Sequence, residues 1–186
     1  MKKIILASIL TAVVGVAGAQ TSVTIGGTAA ESDATGQVTN RKSLTVRTEV
    51  GAGLTGEVGV SNGQNSTTNA TSVRQELGLS GTVFQAGAVK ATLRGGVGLK
   101  TSSGKEGTEY FTIEPSISVK VTDSLTARVG YRFRDAFSSS VADRSDTTRF
   151  GLSYALTKKD TVGLGYDVVK KDGAEKATTL SYTRSF

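Results

Sequence analysis

From Thr21 to Phe186, apolar and polar side chains alternate residue by residue in short runs, with none of the 3.6-residue spacing of an amphipathic helix. In RKSLTVRTEV, for example, Leu44, Val46 and Val50 take one parity while Arg47 and Glu49 take the other. Ten such segments are predicted as strands, near residues 21–30, 42–51, 53–61, 72–81, 88–99, 109–121, 124–134, 147–156, 161–170 and 177–186. Each is close to the ~10 residues that a tilted strand needs to cross a bilayer. The connections GAG, TDS and TKKD are short and GTVFQAGA is somewhat longer, whereas AESDATGQVTN, SNGQNSTTNATS, TSSGKEGTE, DAFSSSVADRSD and KKDGAEK are long and polar. Short and long connections alternate, so one end of the array is trimmed and the other looped. An even strand number then puts both termini at the trimmed end.

The two parities differ sharply in chemistry. One collects Val23, Ile25, Leu44, Val46, Leu77, Leu93, Ile113, Val129, Phe150, Leu152, Tyr166 and Leu180, with Arg184 beside the C-terminus as the only charge expected in this register within the strands. The other holds Arg47, Glu49, Glu57, Arg74, Glu76, Lys90, Arg94, Glu114, Lys120, Arg128, Arg132, Arg149 and Asp167, spaced by Gly, Ser and Thr. Alternation alone does not say which face meets water. A soluble exported barrel of the lipocalin type turns the apolar face inward, and a membrane barrel turns it to lipid. Small residues crowd the polar face, among them Ser116, Ser118, Gly130, Gly151, Ser153, Gly163, Gly165 and Ser181, which suits a narrow concave lumen. Arginine outweighs lysine on that face, unlike a soluble surface.

Composition narrows the address and the chemistry. MKKIILASILTAVVGVAGAQ opens with two lysines, runs apolar from Ile4 to Val16 and ends in Ala17, Gly18 and Ala19, the pattern of a cleaved secretory signal over residues 1–19. Cleavage removes Lys2 and Lys3, leaving residues 20–186 as one barrel domain and lowering the net charge from +6 to +4. Cysteine and histidine are absent. Thiol nucleophiles, imidazole bases and Cys or His zinc sites are thereby excluded, and neither a catalytic residue, a metal nor a cofactor is expected. Asp143 and Asp146 are the nearest thing to a carboxylate pair, in a spacing that a solvated loop also produces. The pI near 9.6 does not imply a nucleic-acid partner, because the basic residues are scattered among 16 acidic ones and form no stripe. GAGLTG, residues 51–56, matches a dinucleotide-loop fingerprint with Glu76 twenty positions on, but strands flank it on both sides, so it is predicted as a tight hairpin turn.

The chain ends TLSYTRSF, with Leu180, Tyr182 and Phe186 in one register. In this last strand and in the signal it resembles bacterial outer-membrane β-barrel proteins of the porin-like kind. The resemblance implies an all-β, closed antiparallel up-and-down transmembrane β-barrel in the outer membrane of a diderm bacterium. It further implies periplasmic termini, extracellular long loops, outer-membrane lipid as the solvent of the apolar face, and the barrel assembly machinery as a partner reading Leu180, Tyr182 and Phe186. The oligomeric state is not specified.

Such a barrel is either a narrow diffusion channel for small polar or anionic solutes or a non-conducting structural or surface-interaction barrel; a soluble lipocalin-like binding barrel is the third alternative. Turn lengths propose a register. If Leu54 faces Val50, Arg47 lies opposite Glu57; if Leu125 faces Val121, Arg132 lies opposite Glu114. Both are expected as ion pairs inside the lumen. The polar register carries eight basic and five acidic side chains, so an ion path through it leans toward anions.

Overall fold

The computed structural model describes residues 20–138, 143–170 and 174–186; the signal segment, 1–19, lies outside them. Ten strands run in order: β1 (Thr21–Ser32), β2 (Val38–Gly51), β3 (Leu54–Asn65), β4 (Thr71–Ala86), β5 (Val89–Ser102), β6 (Thr108–Lys120), β7 (Leu125–Ala136), β8 (Ser145–Ala155), β9 (Asp160–Lys170) and β10 (Glu175–Ser185). Each pairs antiparallel with its chain neighbours, and β1 pairs with β10, closing the sheet into a barrel without edges. Closure satisfies every ladder internally, the condition for strands to exist in hydrocarbon.

The trimmed end is built from local turn chemistry. Gly51, Ala52 and Gly53 all have positive φ, 97°, 52° and 73°, so the GAG turn uses two glycines where a side chain would be strained. Two other turns are pinned by hydroxyls: Thr122 accepts from the backbone N–H of Ser124 and Leu125, and Thr157 from those of Lys159 and Asp160. Both chain ends meet here, where the Phe186 N–H donates to the Thr21 carbonyl at 2.9 Å.

Two expectations are corrected. The connection at GTVFQAGA is not a loop: β4 continues to Ala86 and turns through Gly87 and Ala88, with a register shift between Thr82 and Phe84. That bulge breaks parity at Val83 and hides the strand from a period-two search. At the other end the strands run on into segments assigned to loops, so β1 reaches Ser32, β2 starts at Val38 and β3 reaches Asn65. Polar residues still gain from the ladder beyond the apolar belt. There the outward register carries Lys42, Asp146 and Lys176, so Arg184, at the trimmed end, is not its only charge within the strands.

The burial pattern is inverted relative to a soluble protein. Among the described residues the buried apolar side chains are those of Ala30, Tyr110 and Ala177, whereas Leu93 and Leu152 are 47% and 49% exposed and Leu180 is 67% exposed. Val46 stands between Val23 and Val58 on the same outer face. A lipocalin-like interior would bury these side chains. The apolar belt instead faces out, and the middle of the barrel is polar.

Candidate functional site: the charged lumen

Because side chains alternate across the wall, the inward register gathers charges from nine of the ten strands, β2 to β10, into one enclosed space. Arg47 and Glu57, directly opposite across the β2–β3 hairpin, meet at 2.6 Å. Glu57 also accepts from Arg94 at 2.6 Å, a contact that passes over β4. Gly78 permits it: a Cβ there would lie 2.7 Å from Arg94 Nη2. Arg94 reaches on to Glu76, which accepts from Arg132 and, at 3.0 Å, from the Tyr110 hydroxyl. Tyr110 fits because Gly98 is bare; a Cβ at that position would lie 2.5 Å from Tyr110 Cζ.

Glu114 and Arg132 are not brought together. Their register is as the turn length implies, since Ile113 faces Phe133 and Ser116 faces Gly130, but no ladder pair is formed between those two rungs, at Glu114 and Pro115. Proline has no N–H to give. Glu114 instead accepts from Arg128 at 2.8 Å and Arg149 at 2.9 Å, while Arg132 crosses the lumen to Glu76 on β4. Arg149 also holds Asp167 at 3.3 Å.

The remaining residues of the polar register divide by height. Lys90 lines the trimmed-end half of the lumen, and Arg74 sits in the middle. Lys120 and Glu49 stand at the trimmed rim, both exposed. Lys120 donates to Asp123 at 2.9 Å, and that bond together with its charge holds the exposed Asp123 carboxyl below its ordinary value.

Other lumen charges lie at or beyond the predicted strand ends. Arg41 pairs with Glu175 at 2.8 Å, and Lys100 and Arg134 converge on Asp143 at 2.8 and 3.2 Å. Counting parity up to two residues further would have found Arg41, Lys100 and Glu175, whereas Arg134 already stands in the polar register of the predicted 124–134 segment and was missed there. Asp143, from the β7–β8 connection, had no such signal. It faces inward while Asp146, bonded by the Tyr131 hydroxyl at 2.7 Å, faces out, so these two carboxylates do not form a pair. GAGLTG is the β2–β3 turn and the start of β3, and Glu76, on β4 opposite Gly59, is a lumen hub bonded to Arg94, Arg132 and Tyr110.

The lumen holds two cavities. One, of about 490 Å³, occupies the trimmed half; the other, of about 530 Å³, occupies the looped half. They share Ser43, Ser61, Arg74, Arg132, Arg134 and Arg149, the level at which they abut. Eight basic and three acidic side chains line the first, and six and two line the second.

Solved structures with similar folds are outer-membrane proteins. The translocator domain of the autotransporter NalP from Neisseria meningitidis aligns over 100% of this chain and 96% of its own at 10% identity, with a TM-score of 0.52. This fold is that of outer-membrane β-barrels. A bacterial polysaccharide outer membrane secretin aligns over 89% of this chain and 65% of its own at 10% identity, TM-score 0.54, and the KdgM porin over 89% and 99% at 13% identity, TM-score 0.49. No protein-family model matches the chain, and no curated protein matches it.

Proposed function

We propose that this outer-membrane barrel is a narrow, water-filled diffusion channel for small polar solutes that favours anions. The observation that carries the reading is the basic excess on both lumen cavities, eight to three and six to two. Fixed positive charge on a low-dielectric wall concentrates anions and repels cations. In this reading both termini face the periplasm, the longer connections face outward, and outer-membrane lipid covers the apolar belt. Leu180, Tyr182 and Phe186 on and after the closing strand are what the assembly machinery would engage; Leu180 and Phe186 each stand 67% exposed.

The test is a planar-bilayer recording across a potassium chloride gradient. The expected reversal potential has the sign of an anion-preferring pore, and Arg128→Ala or Arg149→Ala moves it toward cations. A purified, folded barrel that gives no discrete conductance refutes the channel. An unmoved reversal potential in both variants refutes the selectivity.

The second reading, a non-conducting barrel, is favoured by the belt at mid-height. Arg94, Glu76, Arg132 and Tyr110 link β5, β4, β7 and β6 across the lumen through hydrogen bonds. Paired charges of this kind rigidify a narrow barrel whether or not ions pass. The same recording separates the two.

A further inference from the structure

Among the described residues Arg74 and Lys90 are the lumen-lining cations without an ion-pair partner, and of the two Lys90 is exposed while Arg74 is not. The acidic groups around it are engaged elsewhere: Glu175 with Arg41, Glu76 with Arg94 and Arg132, and Asp143 with Lys100 and Arg134. Directly opposite Arg74 on β5 stands Lys100, and on β3 Ser61, so its nearest rung pairs it with a like charge. The guanidinium charges that bear on it are those of Arg134, Arg41 and Arg132. The Nε–H groups of Arg74, Arg132 and Arg134 are all buried, and no acceptor among the described residues reaches any of them. Three buried cationic donors without an acceptor, gathered at one level, are costly unless something negative completes them.

That level is where the two cavities abut. A cavity adjoins this level on each side, and the donors approach it from β4 and from two successive inward positions on β7, so a ligand with several acceptor atoms suits it better than a lone chloride. We propose that a small oxyanion of the phosphate type binds between Arg74, Arg132 and Arg134, whose side chains line both cavities and whose guanidinium groups turn on binding to place one or more of the now buried Nε–H donors on its oxygens. The site rests on the channel reading, since the anion must enter the lumen through water. An oxyanion has several acceptor oxygens, which matches planar guanidinium donors better than a point charge does. Bound there, it neutralises the Arg74 charge and sits in the path of other anions, so it acts as a slow permeant or a blocker.

Two measurements keep the site and the channel separable. Calorimetric titration of the purified barrel in detergent with inorganic phosphate is expected to saturate, and Arg74→Gln is expected to weaken binding by about tenfold or more, the loss of a charge-assisted donor. Arg144→Gln, which removes a cation lying over Phe133 on the outer face, is expected to leave the affinity unchanged. In wild-type protein labelled with 15N-arginine, three Nε–H signals are expected to shift together on phosphate addition, a reading that needs no variant to fold. Unmoved signals, or equal affinity in Arg74→Gln and wild type, overturn the site. Phosphate binding without conductance keeps the site and removes the channel; conductance without saturable phosphate binding removes the site and keeps the channel.

Discussion

Arg94 is the single side chain on which the interior network most depends, and its replacement by methionine isolates that role. The guanidinium donates to Glu57 at 2.6 Å and to Glu76, and its side chain is 10% exposed, against 14% and 13% for the two carboxylates. At about 4 Å between charge centres and an effective dielectric of ~20, each contact is worth roughly 4 kcal/mol before desolvation. Desolvation offsets several kcal/mol per ion, but removing one partner strands the others, which ordinarily costs about 3–5 kcal/mol. Here the strain is shared, because Glu57 keeps Arg47 and Glu76 keeps Arg132 and Tyr110. Arg94→Met is therefore expected to lower the unfolding free energy by about 2–3 kcal/mol, at or just below the lower end of that range. The assay is urea unfolding of the barrel in lipid vesicles, followed by circular dichroism and gel mobility and extrapolated linearly to water. The Arg94→Met, Glu57→Gln double variant should lose less than the two singles together by at least ~1 kcal/mol. Stability within ~0.5 kcal/mol of wild type for Arg94→Met, or strict additivity in the double variant, refutes the hub.

The remaining expectations use the same unfolding measurement unless stated. Gly98→Ala puts a Cβ 2.5 Å from Tyr110 Cζ and 2.6 Å from the Gln75 carbonyl, so it is expected to cost about 1–3 kcal/mol, whereas Gly27→Ala, with nothing within 4 Å, is expected to be neutral or stabilising by under ~1 kcal/mol. Equal effects at the two glycines would contradict the close approach of Tyr110. Leu93→Arg, on the outward belt, is expected to cost about 2–4 kcal/mol in vesicles, and no loss there would mean that this face does not touch hydrocarbon. In bilayer recordings Arg128→Ala shifts the reversal potential toward cations, as stated above.

The strands were legible because their chemistry is one-dimensional. Period-two alternation is set by the backbone pleat, so it survives without any tertiary information, and all ten strands lie where it places them. Where alternation breaks, the sequence misleads: the bulge at Val83 disguised the end of β4 as a loop, and polar residues beyond the belt concealed how far β1, β2 and β3 extend. Arg47 opposite Glu57 could be proposed from the turn alone, because a tight hairpin fixes the rung. Glu114 could not. Its partners are Arg128, diagonal to it on β7, and Arg149 on β8, two strands away in the wall, which no single turn places.

By itself the sequence determined the strand segments, the trimmed and looped ends, and which face is apolar, since each depends on neighbours along the chain or across one turn, while closure of β1 on β10 fixed the count at ten. Only the closed barrel decided that Arg94 reaches over Gly78 to Glu57, that Arg132 crosses to Glu76, and that Arg74 is left without a carboxylate. Those contacts join strands that are distant in sequence but face one another across a narrow cylinder. Parity tells a side chain which way to point, and carries no measure of what it meets on the far wall.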